Sequence, residues 1–152
     1  MSRLFLLDSN VYIRAFRDET FGLELQDFHR RHLPRLVLSG VVAAELLVGA
    51  LRPERERAVR TALIEPFRGR RRLLAPGWST WDLTTRIDRS LRKRPANRAR
   101  LEQRSFMHDM LIAATAREVG ATIITDNTAD FALIARHIDI AFVQPFPPSP
   151  GR

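Results

Sequence analysis

Cysteine is absent from the 152-residue sequence, which excludes disulfides and thiolate metal sites and leaves oxygen or imidazole to hold any metal. Lysine is nearly absent as well, Lys93 being the only one. Glycine is scarce at 7 residues while hydrophobic residues make up 45%, so the chain can bury a core and does not have a disordered composition. Long apolar runs are missing too. The stretches present are a handful of residues, far short of the roughly 18 needed to cross a bilayer, and no secretory leader pattern opens the chain. The expectation is a cytoplasmic protein without a membrane segment, forming one domain over residues 1–144 with a proline-rich tail at 145–152.

What is present is positive charge. Lysine and arginine number 25 against 17 acidic residues, a net charge of +8, which favours a polyanionic partner. The excess is concentrated at Arg68 to Arg72 and Arg92 to Arg100, each readable as a solvated face or as a contact for RNA phosphates.

The apolar run Leu4-Phe5-Leu6-Leu7, opened by Arg3, stops at Asp8 and reads as a buried strand. Asp8 or Ser9 caps a helix beginning near Asn10, and an amphipathic segment follows from Phe21 to His32. Further strands are expected at Leu36 to Leu38, Arg72 to Leu74, Ala121 to Thr125 and Ile140 to Val143. Helices are expected at Val41 to Ala50, Glu54 to Ile64, from Ser79 or Thr80 to Leu91, Met107 to Val119 and Thr128 to Ile134, with Gly120 as a terminator. Trp81 falls on an apolar helical stripe and is expected to pack. Alternating strands and helices predict a three-layer α/β/α fold with a mostly parallel central sheet, because parallel strands need crossover helices.

In such sheets ligands bind beyond the carboxyl ends of the strands. Asp8 ends one strand, and Asp126, Asn127 and Asp130 follow another. Glu45 sits within an otherwise apolar helix, and Asp109 precedes Met110-Leu111-Ile112-Ala113-Ala114. Carboxylates in such surroundings are costly to bury without a positive partner. Two unit charges about 4 Å apart repel by about 4 kcal/mol at an effective dielectric of 20, so converging acids are compensated well by Mg²⁺, with Mn²⁺ able to substitute. Such a site hydrolyses phosphodiesters without a serine, cysteine or histidine nucleophile. Asp8 and Asp109 are the expected metal ligands, Glu45 a ligand or water positioner, and Asp130 an outer acid. Ser9, Asn10, Thr125 and Asn127 are placed to orient them, and Asp126 is the alternative fourth acid. The four histidines have no metal-ligand spacing and receive no role.

Four segments in order resemble the PIN-domain ribonucleases, in particular VapC-like toxins of toxin-antitoxin pairs: Leu6-Leu7-Asp8-Ser9-Asn10-Val11, Val42-Ala43-Ala44-Glu45-Leu46, His108-Asp109-Met110-Leu111-Ile112-Ala113-Ala114, and Thr125-Asp126-Asn127-Thr128-Ala129-Asp130-Phe131. The resemblance implies a Mg²⁺- or Mn²⁺-dependent endoribonuclease acting on structured RNA such as tRNA or rRNA. It also implies a homodimer and an antitoxin whose tail occludes the site. It carries the family's acids to Asp8, Glu45 and Asp109, and places Asn127 and Asp130 in its last motif with Asp126 on a variable position. Two other readings compete. One is a catalytically silent RNA- or partner-binding module of the same fold. The other is an aspartate-based phosphatase or phosphoacceptor domain, weakened because Asn10 stands where the haloacid-dehalogenase type wants a second aspartate.

Overall fold

A computed structural model describes residues 3–146. The tail expected at 145–152 therefore lies almost wholly outside the described residues. Five strands, β1 (Leu4–Leu7), β2 (Leu36–Ser39), β3 (Leu73–Leu74), β4 (Ala121–Ile124) and β5 (Ala141–Val143), form one sheet in the order β3-β2-β1-β4-β5. Every pairing among the described residues is parallel, and β1 and β4 align Leu4 with Ala121 through Leu7 with Ile124. Leu6, Leu36, Leu38 and Ile123 are fully buried, as expected of strands covered on both faces.

Chain direction sets the layers. From β1 to β3 the chain moves toward one edge through α1 (Ser9–Arg17), α2 (Glu19–His32), α3 (Gly40–Gly49), α4 (Pro53–Val59) and α5 (Glu65–Gly69). It then returns across the sheet through α6 (Trp78–Arg92), α7 (Arg98–Leu101) and α8 (Arg104–Val119) to β4, and α9 (Thr128–Ile134) leads to β5. Right-handed crossovers put the two sets on opposite faces, the three-layer α/β/α arrangement expected from the alternation. The strand order reverses between β1 and β4, opening a crevice beyond their carboxyl ends.

Several boundaries differ from those read off the sequence, for local reasons. Pro53 starts α4, but the helix does not stop at Ile64: a π-helical turn, Arg60–Ile64, admits one extra residue and carries the chain into α5. The Arg92–Arg100 stretch is a 3₁₀ turn, Pro95–Asn97, running into α7, with Asn97 Nδ2 donating to the Leu91 carbonyl at 3.0 Å. The helix expected from Met107 starts earlier, at Arg104. Gly120 ends it as predicted, with φ 69° and its N–H on the Ala116 carbonyl. Trp81 is not packed in the core: it is 42% exposed, because the buried face of α6 is formed by Thr80, Thr84, Ile87, Asp88 and Leu91.

Candidate acidic site

Asp8 is the residue at which β1 gives way to α1, and its backbone N–H still bonds to the Ile124 carbonyl of β4. Its extended backbone makes it the N-cap of α1, with Oδ1 accepting from the Ser9 N–H at 2.8 Å. Oδ2 accepts from the Thr125 hydroxyl at 2.8 Å and from Asn10 Nδ2 at 3.2 Å. Capping and site geometry thus belong to the same carboxylate, and the side chain is buried. Burial pushes the Asp8 carboxyl up to about 6, the nearby Glu45 charge adds to the rise, and the Thr125 and Ser9 bonds oppose it.

Asp109 stands in the second turn of α8, inside the helix and not at its cap. With Met110 to Ala116 buried beside it, the carboxyl is 7% exposed and raised to about 9. Burial is the largest cause, followed by the charges of Asp8, Asp130 and Glu45. That ordering locates the site: three acids, from the end of β1, from α3 and from α9, lie close enough to act on the Asp109 carboxyl of α8.

The fourth segment decides which of its acids joins them. Thr125 Oγ1 accepts from the Asn127 N–H at 2.9 Å, folding the chain into a turn after β4. Asn127 Nδ2 then donates to Asp109 Oδ2 at 3.1 Å and to Asp130 Oδ2 at 2.8 Å. Asp126 faces elsewhere: it pairs with Arg14 at 3.2 Å on the surface, while its N–H donates to Asn10 Oδ1. The geometry brings Asp130, not Asp126, to the other acids. Asp130 is also met by Arg100 Nε at 3.2 Å, which places one residue of the basic stretch at the rim.

Glu45 projects from the second turn of α3, whose N-terminus is capped by Ser39 Oγ accepting from the Val41 N–H. Its Oε1 lies 2.5 Å from His108 Nδ1. Nothing along the chain singles out His108, since its partner lies 63 residues away and no spacing rule links the two. The adjoining cavity, about 660 Å³, is walled largely by Val41, Ala44, Val48, Trp81, Met107 and Leu111, with Arg104 and Ser105 also lining it.

No three of the His, Asp and Glu side chains among the described residues form a ready-made metal cage. The Asn127 amide stands between Asp109 and Asp130, and Arg100 neutralises part of Asp130. The donors present are hard oxygens, and Mg²⁺ takes only one or two carboxylates while keeping its waters. An acid held protonated by burial, and further by three neighbouring carboxylates, is the expected signature of such a site without its cation. The donor set therefore fits a hard divalent cation. Among the described residues no helix is long and apolar enough to cross a membrane.

Comparison with known proteins agrees with the fold. The pattern defining the PIN domain matches residues 5–137. Among solved structures, the fold is similar to DNA-bound VapBC from Salmonella typhimurium, at TM-score 0.68 and 21% identity, covering 94% of this chain and 98% of that one. It is also similar to VapBC-1 from nontypeable Haemophilus influenzae, at TM-score 0.66 and 23% identity over 93% and 97% of the two chains. FitAcB from Neisseria gonorrhoeae gives TM-score 0.66 and 23% identity over 91% and 96%. No curated protein matches by sequence.

Proposed function

The chain belongs to the PIN-domain family, and from that premise we propose that it is a Mg²⁺-dependent endoribonuclease, with Mn²⁺ as a substitute. The observation that carries the reading is Asp109, a buried carboxyl raised to about 9 by burial and by three other acids at the crevice where the strand order reverses. A bound divalent cation would supply positive charge to the phosphoryl oxygens and acidify water. Asp8 and Asp109 would hold it, Glu45 would bind it or orient the attacking water, and Asp130 would act from outside through Asn127. Thr125, Asn10 and the Ser9 N–H fix the rotamer of Asp8, so the site is organised before substrate arrives. Arg100, paired with Asp130, and Arg104, on the cavity wall, would meet phosphates flanking the cleaved bond.

Likeness to VapBC and FitAcB structures supports a narrower reading, in which the chain is the toxin of a toxin-antitoxin pair. It would form a homodimer, be silenced by a cognate antitoxin, and cut a structured RNA such as tRNA or rRNA. A catalytically silent RNA- or partner-binding module is the second reading, favoured by the Asn127 amide and the Arg100 guanidinium, which already engage Asp130.

Purified protein free of antitoxin should cleave total RNA with Mg²⁺ or Mn²⁺ and stop on addition of EDTA. Asp8→Ala and Asp109→Ala should each abolish cleavage. Unchanged cutting by either variant would remove the acids from the chemistry, and tight RNA binding without cleavage in saturating Mn²⁺ would favour the silent module. An adjacent gene for a small DNA-binding protein would support the toxin reading, and its absence would count against that reading alone.

A further inference from the structure

Three of the four acids are held by several partners or by a neighbouring amide. Asp8 has Ser9, Asn10 and Thr125, while Asp109 and Asp130 share Asn127. Glu45 is different: among the described residues its one hydrogen-bond partner is His108. The hollows that Glu45 lines are mainly apolar, with Val41, Ala44, Met107 and Leu111 on one side and Ile13, Phe16 and Val59 on the other, and although Arg104, Ser105, Arg17 and Arg55 share those walls, none of them bonds Glu45. A glutamate has three side-chain torsions, and without a partner it would lose its direction to rotamer freedom.

A carboxylate only accepts hydrogen bonds, so in the 2.5 Å contact with Glu45 Oε1 the ring nitrogen Nδ1 is the donor when the two are bonded. We propose that His108 is a positioning residue whose Nδ1–H holds Glu45 toward Asp8 and Asp109, tying the α3 acid to the α8 acid through adjacent residues of one helix. This inference rests on the metal-dependent ribonuclease reading. It assigns His108 no contact with substrate or cation. A role confined to joining α3 with α8 is the alternative, and it predicts sensitivity to side-chain volume; positioning predicts sensitivity to where the donor sits.

Asparagine and glutamine separate the two. The amide nitrogen of asparagine falls near the place of Nδ1, and that of glutamine near Nε2. Mn²⁺ affinity of the full chain, measured by electron paramagnetic resonance, should weaken about tenfold in His108→Ala and His108→Gln but stay within about twofold in His108→Asn. In a Glu45→Gln background, His108→Ala should cause no further loss. Steady-state cleavage should follow the same order in kcat, with KM for RNA unchanged. Equal effects of the Asn and Gln variants would overturn the proposal, and so would a ring ¹⁵N spectrum of metal-free protein with the proton on Nε2 alone. Should His108→Ala fail to fold, the Asn and Gln variants, which keep most of the side-chain volume, decide the matter. Wild-type protein that binds no Mn²⁺ would overturn the ribonuclease reading and this inference together, whereas wild-type binding with Asn no better than Gln overturns only this one.

Discussion

Asp109→Asn removes the carboxylate under the greatest electrostatic pressure while leaving its shape almost unchanged. In the folded, metal-free chain, burial and then the charges of Asp8, Asp130 and Glu45 lift this carboxyl from 3.8 to about 9. Unfolded, it titrates near 3.8, so at pH 7 folding must take up a proton that the unfolded chain has released. At about 1.4 kcal/mol per pH unit, holding it neutral at pH 7 costs about 4 kcal/mol. The native state binds more protons across this interval, so wild-type stability falls as pH rises from about 4 and levels off above about 9. Asparagine has no such slope, and its amide oxygen still accepts from Asn127 Nδ2 as Asp109 Oδ2 does at 3.1 Å. Urea denaturation without divalent cations should therefore find the variant several kcal/mol more stable than wild type at pH 7 and nearly equal at pH 4. Saturating Mg²⁺ should close the gap by stabilising wild type alone. A variant less stable than wild type at pH 7, or parallel pH profiles for the two, would refute the account of Asp109 as a charge held under pressure.

Three other substitutions probe separate parts of the site and fold. Arg100→Gln frees Asp130 from its ion pair, and because the arginine is 42% exposed the gain in Mn²⁺ affinity should be modest, about twofold to fivefold, by the same resonance measurement. The slope of log RNA affinity against log salt should fall by about one in that variant if Arg100 meets a phosphate, and an unchanged slope would exclude the contact. Thr125→Val deletes the hydroxyl that donates to Asp8 at 2.8 Å and favours its ionised form. The acidic limb of kcat/KM should then move to higher pH, and a fixed limb would remove Asp8 ionisation from catalysis. Gly120→Ala places a side chain at φ 69° where no atom lies within 4 Å of the new Cβ, so only backbone strain is felt. Thermal unfolding should show a loss of about 1 kcal/mol, and no loss would mean the helix end relaxes.

The features legible in the sequence are those fixed by short-range chemistry. The apolar runs of β1 and β4 and the helix stop at Gly120 depend on neighbours within a few residues, and alternation of strands with helices follows from them. Asp8 and Asp109 stand out because each adjoins an apolar run, and the structure places both in the crevice. What escaped depends on tertiary direction. Trp81 has helical spacing, but periodicity marks a stripe without saying whether it meets the sheet or a surface cavity. Along the chain Asp130 is preferred to Asp126 only through the resemblance, and it is the turn closed by Thr125 Oγ1 and the Asn127 N–H that sends Asp126 to Arg14 and Asp130 toward Asp109. His108 lies beside an obvious acid, yet its meaning comes from a glutamate on another helix.

The same proton that opposes folding must also compete with the cation. Below about 9 the Asp109 carboxyl holds a proton in the metal-free chain, and a divalent cation that uses this oxygen has to displace it. Each unit of acidification should then weaken apparent Mn²⁺ affinity about tenfold, a slope of one proton per cation. Near and below about 6 the Asp8 carboxyl is protonated as well, so the slope should steepen toward two. Titrations of Mn²⁺ between about pH 5 and 8 would give both slopes, and in Asp109→Asn the upper one should vanish while the lower one persists. Proton release in buffers of different ionisation enthalpy checks the stoichiometry independently. Affinity that does not change across this range would mean that the cation avoids Asp109. The ligand set would then have to be rebuilt around Asp8 and Glu45, whose side-chain partners lie on α1, just after β4, and on α8.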